Sequence, residues 1–171
     1  SINIAETIEK ALICPLAIDD FPLLKRAFST HTEVLYLLDN AGEVVFDKLL
    51  IEVLCHIGLK VKAVAKGEPI LNDCTREDVA EVGLDNVCDV IDNGSDCIGT
   101  ILEMTSKKFR DEFARYSLII SKGQGNYETL SYESKNHGFT NKNICYLFQT
   151  KCDVVSKELN LPTGSMVLQV Y

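Results

Sequence analysis

Five short apolar runs recur along this 171-residue chain, and they limit its fold more than any other feature. The first, Glu33-Val34-Leu35-Tyr36-Leu37-Leu38, is continuous rather than alternating, as expected of a strand buried on both faces. The others lie at 60–65, 87–91, 117–121 and 143–148. Helical patterns fill the gaps. From Glu43 onward, Val44, Val45, Leu49, Leu50, Val53, Leu54 and Ile57 recur at helical spacing, with Gly58 as the stop. Thr75 reads as the N-cap of a helix over 76–82, with Glu77 and Asp78 in its first turn. Further helices are predicted over about 99–115, from about Asn126, and over about 153–159. Residues 167–170 read as a last edge strand. Residues 1–28 look helical from the spacing of Ile4, Ile8 and Leu12, with breaks at Pro15 and Pro22. Strands alternating with helices predict an α/β fold: a Rossmann-like three-layer sandwich with a mostly parallel central sheet and helices on both faces.

Composition narrows the function classes. Lys and Arg total 17 against 25 Asp and Glu, a net charge of −8, so no nucleic-acid partner is expected. No apolar run approaches the ~20 residues of a membrane helix, so no membrane partner is expected either. The seven cysteines are scattered and form no Cys-x-x-Cys pair. They read as free thiols in a reducing cytosol, which implies a cytoplasmic protein and neither a closed zinc site nor a disulfide framework. The chain starts at Ser1 rather than Met, which leaves a processed or truncated form open. The oligomeric state is not legible.

In sheets of this kind ligands bind outside the carboxyl ends of the strands. The first strand ends in Asp39-Asn40, a carboxylate and an amide carbonyl, both hard oxygens suited to Mg2+ or Mn2+. Asp73, after the second strand, offers a third oxygen. Asp and Asn also end strands and cap helices, and Asp73 suits an Asx turn; spacing does not separate the two readings. Gly42 at a helix entry lets backbone N–H groups approach a phosphate. Lys122-Gly123-Gln124-Gly125-Asn126 is neither a Walker A loop nor Gly-x-Gly-x-x-Gly, yet suits a backbone nest for an anion. Lys151 ends the fifth strand, where a solvated lysine is the common case. His31, His56 and His137 show no metal spacing.

Four segments in order carry a resemblance: 39–47 (Asp-Asn-Ala-Gly-Glu-Val-Val-Phe-Asp), 69–75 (Pro-Ile-Leu-Asn-Asp-Cys-Thr), 121–128 (Ser-Lys-Gly-Gln-Gly-Asn-Tyr-Glu) and Lys151-Cys152. Together they resemble the ordered motifs of the DUF89 damage-control phosphatases, over about residues 33–160. Gly94-Ser95-Asp96 and Gly99-Thr100 resemble that family's segment between its second and third motifs. The resemblance implies a metal-dependent phosphatase of small phosphorylated metabolites, such as sugar phosphates or damaged phosphometabolites, using Mn2+, Mg2+, Ni2+ or Co2+. It places the metal ligands on Asp39, Asn40 and Asp73, and the catalytic roles on Asp39, Asp73 and Lys151. Gly42, Glu43, Asp96, Lys122, Gly123, Asn126 and Lys151 fall on the phosphate and substrate side. The attacking group is either a water, oriented by Glu43 or Asp73, or the Asp39 carboxylate. The resemblance also implies a division into a helical segment over 1–30, the remnant of a longer helical region, and a catalytic domain over 31–171. A Cys-x-x-Cys pair of the family's short prokaryotic branch is missing here, as is its usual Asp before the fourth strand, where Tyr116-Ser117 stand. A Rossmann-like methyltransferase and a non-catalytic metal- and phosphate-binding domain are the competing readings.

Overall fold

The computed structural model describes residue 9, residues 12–139 and residues 141–171. Of the helical stretch expected over 1–28, residues 1–8, 10 and 11 lie outside the described residues. Seven strands form one sheet in the order β1-β7-β6-β5-β2-β3-β4. They are β1 (Ile18–Asp19), β2 (Glu33–Leu37), β3 (Lys60–Ala65), β4 (Asp89–Asp92), β5 (Leu118–Lys122), β6 (Asn143–Gln149) and β7 (Met166–Val170). The helices that accompany them are α1 (Phe21–Thr30), α2 (Val44–His56), α3 (Arg76–Glu81), α4 (Lys107–Arg115), α5 (Gln124–His137) and α6 (Asp153–Glu158). All pairings are parallel except β6 with β7.

Alternate residues of the central strands serve opposite faces, so their continuous apolar runs feed two cores. Val34, Tyr36 and Leu38 pack with Leu24 and Ala27 of α1, Val44, Ile51 and Leu54 of α2, and Val79 of α3. Leu35 and Leu37 pack with Phe109 and Phe113 of α4, Tyr127 and Leu130 of α5, and Val155 of α6. The result is the expected three-layer α/β sandwich. The chain order runs outward from β2 through β3 to β4, then returns to place β5 on the other side of β2. The carboxyl ends of β2 and β5 therefore flank the switch in strand order, where such sheets hold ligands.

Several expected boundaries move. In the stretch expected to be helical up to residue 28 with a break at Pro22, Pro22 stands instead in the first turn of α1, and Ile18 and Asp19 pair with β7 before that helix begins. That pairing also denies β7 its expected edge position. The strand expected at 87–91 starts at Asp89, because a 3-10 turn over Leu84–Asn86 occupies the chain before it. The helix expected over 99–115 is a loop, a 3-10 turn (Leu102–Met104) and α4, whose N-cap Ser106 accepts a hydrogen bond from the Phe109 N–H at 3.2 Å. Gly99, at φ 72°, lies too close to the Gly125 carbonyl and Thr129 to carry a side chain or a helix there. Thr75 does begin α3, with its N–H accepted by Asp78 Oδ2 at 2.8 Å in a reciprocal capping box.

One face of α2 stays open: Val45, Phe46, Leu49, Val53 and Ile57 are each about half-exposed. No helix among the described residues is long and apolar enough to cross a membrane.

Candidate active site

The β2 end and the loop after β3 are zipped together. The Cys74 N–H donates to the Asp39 carbonyl at 2.7 Å and the Ala41 N–H to the Asn72 carbonyl at 2.9 Å, with a β-bridge between Asn40 and Asp73. Two segments more than thirty residues apart thus hold Asp39, Asn40 and Asp73 together. Leu71, in the same loop, sits at φ 49°, a region a bulky residue rarely enters. From β5, Gly123 closes the opposite wall at φ 82°. A Cβ built there would run into the Asp39 carboxylate, so only glycine allows this approach.

Asn40 Nδ2 donates to Asp39 Oδ2 at 2.8 Å and to Glu43 Oε1 at 3.0 Å. Glu43 Oε2 receives Lys122 Nζ at 3.3 Å. Lys122 Nζ is anchored more tightly on Asp47 Oδ1, at 2.8 Å. Asp47 is only 2% exposed, and its Oδ1 also accepts from the Tyr36 hydroxyl at 2.7 Å. Burial works against the Lys122 ammonium, but Asp47 and Glu43 outweigh it and hold its pKa above the ordinary lysine value. Burial likewise pushes the Glu43 carboxyl up, and Lys122 with the Asn40 amide more than offsets it, leaving it below the usual range. For Asp39 the compensation falls short. Burial first, then the negative charges of Glu43 and Asp73, push its pKa from 3.8 up to about 6, against the opposing pull of Lys151 and Lys122.

Asp73 has its own cation. Lys66, 5% exposed, places Nζ 3.4 Å from Asp73 Oδ2 and donates to the Cys97 carbonyl at 2.7 Å and to the Gly99 carbonyl. Burial pulls the Lys66 ammonium below its ordinary value, opposed by Asp73 and Asp39. Lys66 so ties the loop over 94–100 to the candidate metal ligands.

The expected phosphate-side residues separate into two groups. Asn126 is buried, with Nδ2 on the Leu38 and Lys122 carbonyls at 3.2 and 2.8 Å and Oδ1 accepting from Thr100 at 2.7 Å. Both of its donors are spent on the scaffold, as Lys122 is spent on carboxylates. Lys151 is different: exposed and close enough to act on Asp39 and Glu43, it makes no side-chain hydrogen bond or ion pair among the described residues. Its backbone N–H is held by Gln124 Oε1 at 2.6 Å, which pins this loop to the start of α5. Gly42 is open to its surroundings, and Asp96 is exposed on the 94–100 loop with no ion pair among the described residues.

The donor set fits a hydrated hard cation. It offers the Asp39 and Asp73 carboxylates and an Asn40 Oδ1 that accepts no hydrogen bond among the described residues, at a place where burial and then the charges of Glu43 and Asp73 raise Asp39. Among the described residues no three His, Cys, Asp or Glu side chains converge on a metal position; the set offered here is two carboxylates and an amide.

A sequence profile described as the damage-control phosphatase ARMT1-like domain matches residues 2–167. The chain belongs to this family. A protein of Methanocaldococcus jannaschii, MJ0202, is 41% identical over 170 residues, covering 98% of this chain and 55% of that protein. Damage-control phosphatase PH1575 of Pyrococcus horikoshii is 37% identical over 166 residues, covering 96% and 56%. A damage-control phosphatase of Archaeoglobus fulgidus is 35% identical over 156 residues, covering 91% and 51%. The crystal structure of PH1575, a DUF89 family protein, superposes with a TM-score of 0.86 over 96% of this chain and 56% of that one. The chain spans about half the length of the curated relatives it matches.

Sequence reasoning gave no role to Lys66 or Asp47. The available signals were a lysine directly after a buried strand and a lone acid, four residues after Glu43, among the apolar residues of α2.

Proposed function

We propose that this ARMT1-like domain is a metal-dependent phosphatase acting on phosphate esters of small metabolites. The observation that carries the reading is the convergence of Asp39, Asn40 and Asp73 at the switch in strand order, with the unpaired Lys151 beside them. Two carboxylates and an amide oxygen would hold the cation. When bound, Mn2+, Mg2+, Ni2+ or Co2+ supplies a Lewis acid that draws charge from a phosphate oxygen.

The remaining work falls to the protein. Lys151 binds the outer phosphate oxygens, and it is free to do so because no carboxylate claims it. The N-termini of α2 and α5 open beside Asp39 and add backbone N–H donors for an anion. Lys66 holds Asp73 in place. Asp96 is left for the hydroxyl groups of the organic portion of the substrate. Phosphoryl transfer depends mostly on positioning and charge stabilisation, so this inventory suffices in kind. The names of the relatives support the phosphatase reading over the methyltransferase one.

The test is phosphate release from p-nitrophenyl phosphate and a panel of sugar phosphates, after EDTA and after return of each metal. Release restored by metal and abolished by Asp39→Ala, in a variant that keeps its fold, is the expected result. Folded wild-type protein that binds metal and releases no phosphate with any substrate makes this domain a binder instead.

A further inference from the structure

A carboxylate beside a phosphate position raises the electrostatic cost of binding the anion, so Glu43 needs a reason to be there. Its two oxygens have separate duties: Oε1 accepts from Asn40 Nδ2 at 3.0 Å, and Oε2 accepts from Lys122 Nζ at 3.3 Å. The other acceptor of the Asn40 amide is Asp39 Oδ2 at 2.8 Å. Both neighbours are carboxylates, which only accept, so the NH2 end of the Asn40 side chain must face them. Its oxygen is thereby turned the other way and accepts nothing in the described structure. Only that oxygen can ligate a hard cation; the NH2 end cannot.

We propose that Glu43 is a positioning residue that fixes the Asn40 amide with Oδ1 turned to the cation, and that Lys122, seated on Asp47, holds Glu43 for this task. Asp39 alone does not suffice, because a cation that takes an Asp39 oxygen weakens it as an acceptor. Glu43 stands outside the ligand set and keeps its grip in the loaded state. Lys122 is fixed from below by Asp47 and so acts as a strut. This proposal rests on the cation-binding reading given above and adds a role for residues that do not touch the cation.

Replacement of Glu43 by its isostere tests it. Glutamine has one acceptor oxygen where glutamate has two. The Lys122 ammonium takes it, and the remaining NH2 meets the Asn40 NH2 and drives that amide round. Mn2+ binding, by isothermal titration calorimetry, should weaken about tenfold or more in Glu43→Gln. In the N40D background the same replacement should not weaken it, because a carboxylate presents an oxygen whichever way it turns. Equal weakening in both backgrounds, or an unchanged Kd in Glu43→Gln alone, overturns the proposal. Thermal unfolding in EDTA checks that each variant is folded. A second measurement needs no metal: by NMR the Asn40 side-chain NH2 should exchange slowly with water in the wild type and faster in Glu43→Gln. If the wild type binds no cation, the functional reading fails at the titration, while the NMR still decides whether Glu43 orients the amide; equal exchange in both proteins overturns that role.

Discussion

Asp39→Asn should make the metal-free protein more stable while removing its response to metal. The reason is the carboxyl pKa of about 6 in the folded state against 3.8 as the ordinary value. A raised folded-state pKa means that the folded protein binds this proton more tightly than the unfolded chain does. The charged form therefore costs stability, and the cost sets in as pH rises from about 4 to about 6. Two pH units at about 1.4 kcal/mol each give an upper bound near 3 kcal/mol. The carboxyl is partly open to water, which reduces the figure to about 1–2 kcal/mol. The asparagine side chain carries no charge and keeps an oxygen for the Asn40 NH2. For a chain of this length each kcal/mol is worth about 2–4 °C, so the variant should melt about 2–8 °C higher at pH 7.5 in EDTA. Calorimetric melting from pH 4 to pH 8 is the assay. The gap should close near pH 4, where wild-type Asp39 is protonated, and the order should reverse with millimolar Mn2+, which stabilises only the wild type. A variant no more stable than wild type at pH 7.5, or a gap constant across the pH range, refutes the reasoning.

Gly123→Ala, which forces a Cβ against the Asp39 carboxylate at a positive φ, should cost at least about 2 kcal/mol and abolish Mn2+ stabilisation, both read by thermal melts. Lys66→Met strips Asp73 of its cation and the Cys97 and Gly99 carbonyls of their donor; about 2–3 kcal/mol of stability should be lost in urea titrations. Asn126→Ala orphans the Leu38 and Lys122 carbonyls and should cost about 2–4 kcal/mol by the same assay. The pair Leu49→Lys and Val53→Glu lies on the open face of α2, and each should change unfolding stability by no more than about 0.5 kcal/mol.

Asp39, Asn40 and Asp73 were legible as candidates because each follows an apolar run, and in a parallel sheet strand ends collect on one edge. Lys122 and Asn126 show where such reading stops. A lysine or an asparagine in a glycine-rich turn looks the same in sequence whether it faces a ligand or the scaffold. Here Lys122 meets Glu43 and Asp47, 79 and 75 residues away, and Asn126 meets the Leu38 carbonyl 88 residues away. No local pattern encodes such partners. Lys66 was missed for the same reason: its partners beyond Asp73 are carbonyls of a loop 31 and 33 residues further on.

By itself the sequence determined the alternation of buried strands and helices, and with it the three-layer sheet and the edge that carries the candidate site residues, because periodicity and strand-end residues are local properties. Only the tertiary structure decided the lateral order of the strands, the antiparallel β7 flanked by β1, and which lysine at the site is free and which is held, because pairing and burial depend on residues distant along the chain.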